Sequence, residues 1–163
     1  MAKNKGEKTN VMRVLEQKKI AYTPHSYPHE EGIAVDGVTV AQSMGFDPAI
    51  VFKTLVARGA SKQYYVFDVP VAENLDLKKA AKAVGEKSIE MIHQKELLPL
   101  TGYVHGGCSP VGMKKLFPTV FHSSAENLAA MIVSAGKIGY QVELAPHDLA
   151  ALVRAKFADI IVE

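Results

Sequence analysis

The chain has 163 residues, 48% of them apolar and 22% charged, with a net charge of +2; this is the balance of one folded domain with a sizeable core. So small a net charge gives no evidence of a polyanion partner, the apolar runs are too short to span a bilayer, and one cysteine excludes an internal disulfide framework. The first eight residues carry lysines without an apolar segment, which is no secretory signal, so the expected location is the cytoplasm.

In chain order, residues 1–8 read as a flexible tail and 9–163 as a single domain. Thr9 or Asn10 caps a first helix whose Val11, Val14 and Leu15 recur at helical spacing. Ile20 to Tyr27 mixes β-formers with a proline, as an edge strand does, and Pro28 to Gly37 reads as a mobile loop. A short helix, Val38 to Met44, stops at Gly45. After one helical turn at Asp47-Pro48, Val51–Arg58 and Tyr64–Val69 form a hairpin.

Asn74 or Asp76 then caps a helix with Leu77, Ala80, Ala81 and Val84 inward and Lys78, Lys79 and Lys82 outward. Ser88–Met91 is a short strand, and Gln94–Leu98 a short helix halted at Pro99. Past Thr119–His122 and a turn at Ser123-Ser124, a second hairpin pairs Ala130–Ser134 with Ile138–Leu144. In its second strand Ile138, Tyr140, Val142 and Leu144 alternate with outward Gly139, Gln141 and Glu143. Pro146 opens a last helix with Leu149, Leu152 and Val153 inward, and Phe157–Val162 is the final strand. Antiparallel hairpins mixed with short helices predict an α+β fold around a largely antiparallel, partly barrel-like sheet.

Between these elements lies Thr101 to Lys115, a loop of glycines, Ser109-Pro110 and two closing lysines. Gly106 and Gly107 permit positive φ and close backbone approach, and Pro110 holds Ser109 extended. Such a loop is expected to offer bare backbone N–H groups to an oxyanion, a carbonyl or a phosphate. Gly107 to Gly112 has the glycine spacing of a P-loop, but Met113 stands where the lysine belongs. Ser109 sits in no nucleophile elbow. Cys108 reads as a small apolar filler in preference to a nucleophile. His25 with His29, and His105 with Cys108, make pairs, and two ligands are no metal site.

Gly102-Tyr103, Gly106-Gly107-Cys108-Ser109-Pro110-Val111-Gly112 and Lys114-Lys115 together resemble the signature of the YbaK family, freestanding aminoacyl-tRNA deacylases related to the editing domain of bacterial prolyl-tRNA synthetases. Phe52-Lys53-Thr54-Leu55, Leu75-Asp76-Leu77-Lys78-Lys79, Val133-Ser134 with Gly136-Lys137, and Phe157-Ala158-Asp159-Ile160 extend the resemblance over nearly the whole chain. Two stretches depart from it: Ala135 to Gly139 replaces Gly-Gly-Lys-Arg-Gly, and residues 32–37 lack a Phe-Gly-Asp. Within that superfamily the chain is most similar to enzymes that clear cysteine from tRNA for proline.

The resemblance implies a catalytic Lys53 near the scissile ester, with Tyr27 and Thr54 lining the same pocket. It implies substrate binding by the loop at Gly106, Gly107, Ser109 and Pro110, and an opposite wall from Ser134, Gly136 and Lys137. It further implies no metal or organic cofactor, an aminoacyl-tRNA acceptor end as partner with prolyl-tRNA synthetase as a second one, and neither membrane nor DNA. Cysteine on tRNA(Pro) is the expected substrate, cleaved through its own thiol. Ala-tRNA(Pro), another mischarged tRNA, and a non-catalytic module binding acceptor ends remain the alternatives. Lys78, Lys79, Lys82, Lys87, Lys114 and Lys115 face tRNA phosphates or are simply solvated.

Overall fold

The computed structural model describes residues 8–163, so the tail expected over residues 1–8 lies almost wholly outside them. Helix α1 (Asn10–Gln17) starts where the Thr9 hydroxyl accepts from the Met12 N–H, and buries Val11, Met12 and Leu15. Strand β1 (Thr23–Ser26) and helix α2 (Gly37–Met44) flank the loop from Tyr27 to Asp36. Asp36 caps α2 by accepting from the Thr39 N–H, and Gly45 closes it at a φ of 79°. A 3₁₀ turn, Pro48–Ile50, leads into the hairpin β2 (Phe52–Gly59) and β3 (Tyr64–Pro70).

Helix α3 (Leu77–Val84) is capped by Asp76, which accepts from the Lys78 and Lys79 N–H groups. It turns Ala80 and Ala81 inward, but its first residue Leu77 is 41% exposed, contrary to the expected inner stripe. Lys79 is not a free surface cation. Its ammonium meets Asp159, Glu163 and the Ile161 carbonyl, so its charge is already partnered within the fold. Strand β4 (Ile89–Met91) precedes helix α4 (Gln94–Thr101), which runs through Pro99 and does not stop there. A proline this close to the C-terminus forfeits one backbone bond. The turn after it is closed by the Gly102 N–H on the Leu98 carbonyl (2.8 Å) and the Thr101 hydroxyl on the Leu97 carbonyl (2.7 Å).

The remaining elements are β5 (Thr119–His122), a 3₁₀ turn over Ser123–Asn127, β6 (Met131–Ser134), β7 (Tyr140–Leu144), α5 (Pro146–Val153) and β8 (Ala155–Ala158). The last strand begins and ends earlier than periodicity suggests, because pairing with β5 fixes Thr119 opposite Ala155 and His122 opposite Ala158. Ile161 instead bridges singly to Leu75.

The fold is α+β, with two sheets and no closed barrel among the described residues. One sheet has three antiparallel strands in the order β1-β7-β6. The other has the order β4-β2-β3-β5-β8, antiparallel except where β5 lies parallel to β3 and β8. A single parallel bridge, Val51 to Ile132, joins them. Phe52, Phe121, Met131, Val133, Val142 and Leu149 pack with α1 into the largest apolar cluster. No described helix is long and apolar enough to cross a membrane.

One core position is anomalous. Asp68, on β3, has no exposed surface, and neither carboxylate oxygen has a hydrogen-bond partner. Burial pushes its carboxyl up from 3.8 to about 7, and the pull of the Thr54 hydroxyl opposite, near it but short of good hydrogen-bond geometry, holds it back somewhat. The folded protein therefore holds this proton more tightly than the unfolded chain. The associated stability is complete below pH 3.8 and is lost as pH rises toward 7, amounting to roughly 4 kcal/mol at 1.36 kcal/mol per pKa unit. Urea denaturation of the wild type and of Asp68→Asn across pH 5 to 8 is expected to show this decline in the wild type only.

Candidate functional site

The two sheets meet around a cleft of about 430 Å³. Its floor is the start of β2, from Val51 to Leu55; its sides come from residues 34–37, from His105, Gly106 and Cys108, and from Tyr27, Ser134 and Gln141. Hairpin pairing with β3 sets Lys53 opposite Val69 and Thr54 opposite Asp68, so the two side chains leave the strand on opposite faces, and both residues line the cleft. Lys53 is half-buried and joins no ion pair among the described residues. Burial lowers the pKa of its ammonium from the ordinary lysine value, and the carboxylates of Asp36 and Glu73 partly restore it. The result is a partly desolvated cation in the lining of an open cleft. Such a group stabilises negative charge developing on a bound carbonyl.

Five of the ten residues expected at the site line this cleft: Tyr27, Lys53, Thr54, Gly106 and Ser134. Tyr27 is buried and held by its N–H on the Gly139 carbonyl, so the turn after β6 fixes its position. Gly106 has a φ of 89°, and a Cβ there would stand 2.7 Å from the Ala34 Cβ. The cleft wall thus needs a glycine at that point.

Gly107, Ser109, Pro110, Gly136 and Lys137 are not among the lining residues. They build the wall. Gly107 lets the central loop approach the backbone of Lys137 and Ile138, where an added Cβ would come within 3.1 Å of the Ile138 nitrogen. The Ser109 hydroxyl accepts from the Val111 N–H, and the Ser134 hydroxyl from the Gly136 N–H, so both shape turns. Nor is the loop a row of bare N–H groups, since Gly107 donates to Val104, and Lys114 to Thr101. Tyr103 ties the loop together by donating to the Val111 carbonyl.

Sequence reasoning missed Asp36, His105 and Gln141. Asp36 precedes a helix, and its capping position was the available signal. Gln141 sat on the expected solvent face of β7, yet it is 7% exposed and its amide oxygen has no partner. Strand β7 is central in its sheet, between His25 of β1 and Ser134 of β6, and its other face looks into the cleft.

Cys108 lines the cleft but packs with Val56, Val66, Leu97 and Phe117. Burial and the nearby Asp68 push its thiol up to about 12, so it is protonated at neutral pH and a poor nucleophile. Cys108→Ala is expected to retain catalytic turnover within about threefold. An acyl-thioester on Cys108, trapped and seen by mass spectrometry, would overturn this. Among the described residues no group of three His, Cys, Asp or Glu side chains is placed to hold a metal ion.

The sequence model of the aminoacyl-tRNA editing domain matches residues 34–152, which include all but Tyr27 of the cleft lining. A protein of Enterococcus faecalis, named EbsC and described as a proposed Cys-tRNA(Pro)/Cys-tRNA(Cys) deacylase, is 46% identical over 98% of both chains. A solved structure of a proposed trans-editing enzyme for prolyl-tRNA synthetase superposes with a TM-score of 0.79, covering 96% of this chain and all of that one at 24% identity. A hypothetical protein superposes with a TM-score of 0.83 at 18% identity, over 94% of this chain and all of the other. At those identities the two structures speak for the fold.

Proposed function

The chain belongs to the aminoacyl-tRNA editing domain family, and from that premise we propose that it is a trans-acting deacylase removing cysteine from mischarged tRNA(Pro), with residues 9–163 acting as one editing unit. The observation that carries the reading is Lys53, half-buried and without an ion pair among the described residues, on the floor of a cleft whose size lies in the range of small-ligand sites. Kinship to EbsC supports the choice of cysteine.

In this reading the terminal adenosine and its aminoacyl ester enter between Tyr27, Ser134 and the Gly106 wall. The Lys53 cation faces the ester carbonyl. The substrate thiol attacks its own carbonyl carbon, where effective molarity is high. A carbon–sulfur bond forms, the ester carbon–oxygen bond breaks, and the thiol proton passes to the departing ribose oxygen. The products are a cyclic thiolactone and free tRNA. Cys108, protonated and packed in the wall, has no part in bond making. Prolyl-tRNA synthetase is a fitting second partner, because it is the enzyme that would generate the mischarged substrate.

The test is deacylation of Cys-, Ser- and Ala-tRNA(Pro) under identical conditions, with the small product identified. Cysteine is expected to be cleaved fastest and to appear as thiolactone. Serine should be far slower because a hydroxyl is the poorer nucleophile, and alanine has none. Equal rates for cysteine and alanine, or free cysteine formed directly, would assign the attack to water.

A further inference from the structure

Behind the cleft floor lies a sealed polar pair that the mechanism does not use. Thr54 and Asp68 stand directly opposite each other on β2 and β3. The Thr54 hydroxyl oxygen and both Asp68 oxygens are buried, and none has a hydrogen-bond partner. Side chains directly opposite on antiparallel strands have Cβ atoms roughly 5 Å apart, so a small rotation of either brings hydroxyl and carboxyl into contact. Other neighbours offer this carboxyl little: β5 places the apolar Phe121 opposite it, and the central loop supplies the Cys108 thiol.

Thr54 nevertheless lines the cleft and is only partly buried. Since its oxygen is sealed, what it shows to the cleft is carbon or backbone. A threonine presents either its methyl or its hydroxyl in a given direction, depending on χ1. Something must favour the rotamer with the hydroxyl turned inward, because burying it beside apolar groups alone is unfavourable. Asp68 is the carboxyl on that inner side.

We propose that Asp68 is a positioning residue for amino-acid selectivity: it retains the Thr54 hydroxyl inside the sheet, so that the cleft meets Thr54 by its methyl group and favours a thiol or methyl side chain over a hydroxyl. This rests on the reading of the cleft as an aminoacyl site. A carboxyl accepts from a hydroxyl whether or not it is ionised, so the device works on both sides of neutrality. A methyl-faced pocket leaves a serine hydroxyl unpaired, whereas a hydroxyl-faced one can bond it.

The experiment compares the wild type, Asp68→Leu, Thr54→Val and the double variant with Cys-, Ser- and Ala-tRNA(Pro). Asp68→Leu frees the Thr54 hydroxyl to turn outward. Its preference for cysteine over serine in kcat/KM is expected to fall about tenfold, mainly through a lower KM for the serine substrate. Valine has methyl groups in both directions. Thr54→Val should therefore keep the wild-type preference, and adding it to Asp68→Leu should restore that preference. A purely structural role for Asp68 would not be rescued in this way. Unchanged selectivity in folded Asp68→Leu, or no rescue in the double variant, overturns the proposal.

One measurement is independent of turnover. The χ1 coupling constants of Thr54, read by NMR, should report one rotamer in the wild type and averaging in Asp68→Leu. If they are the same in both proteins the proposal fails even where the deacylase reading stands. If no aminoacyl-tRNA is cleaved while the couplings differ, it is the deacylase reading that fails.

Discussion

Lys53→Ala is expected to lower deacylation by about a hundredfold or more while leaving the fold intact. Loss of a charge that stabilises a developing oxyanion typically costs about 3 kcal/mol of transition-state stabilisation. The fold should survive because the Lys53 side chain enters no ion pair among the described residues, and because its strand is held by seven pairings to β3. Near-UV circular dichroism tests the fold, and single-turnover deacylation tests the chemistry. Full turnover in the folded variant would remove Lys53 from the mechanism.

The same lysine carries a pH signature. Burial depresses its pKa, so the cation is lost at lower pH than for an exposed lysine, and the alkaline limb of kcat/KM should move down accordingly. Asp36 and Glu73 oppose that shift. Asp36→Asn should therefore move the limb lower still. The asparagine retains an acceptor for the cap of α2.

Gly106→Ala is expected to be the most damaging single methyl added to the chain's cleft. The residue has a φ of 89°, and the new Cβ would lie 2.7 Å from the Ala34 Cβ and 3.2 Å from its Cα. Left-handed backbone costs an L-residue about 1–2 kcal/mol, before the clash is relieved. Relief means moving the segment that carries Val35 and Asp36, two lining residues, one of which partners Lys53 electrostatically. Turnover should fall roughly ten- to a hundredfold, because small displacements at a reacting site are amplified. Global stability should fall by only about 1–2 kcal/mol. Adding Ala34→Gly removes the 2.7 Å contact but leaves the 3.2 Å approach to the Ala34 Cα and the left-handed backbone strain, so activity should return in part and stability less. Wild-type kcat/KM in Gly106→Ala would show that this wall does not position substrate.

Local elements were legible wherever a cap or a period decided them. Thr9 and Asp76 begin their helices as expected, and Gly45 and Gly85 end theirs in left-handed backbone. The hairpin of β2 and β3 was written in two β-rich runs with a turn between them. What failed depended on distant neighbours. Gln141 looks like a solvent-facing residue until β1 and β6 flank its strand, and Phe157–Val162 looks like one strand until β5 fixes the register. Pro99 was read by its usual effect, which the bonds at Thr101 and Gly102 bypass.

The site was legible by a different route. Lys53, Thr54 and the glycine loop stood out through likeness to a family, whereas periodicity alone would have left Lys53 a solvated strand lysine. Asp68 gave no sequence signal, because one aspartate in an apolar strand is silent about which side it faces.

The pairing of β1 with β7 reaches across the chain: His25 is 118 residues from Glu143, its partner at 2.7 Å. Tyr27 follows that strand directly, so it joins the cleft only after this pairing forms. Lys53, Thr54 and Asp68 belong instead to a local hairpin that can form early. The lysine's strand pairing is thus local in sequence, whereas closure of the cleft depends on long-range pairing. The proposed catalytic lysine and the wall it faces thus belong to two different sheets, and the cleft is complete only when contacts far apart in the chain have brought the two together.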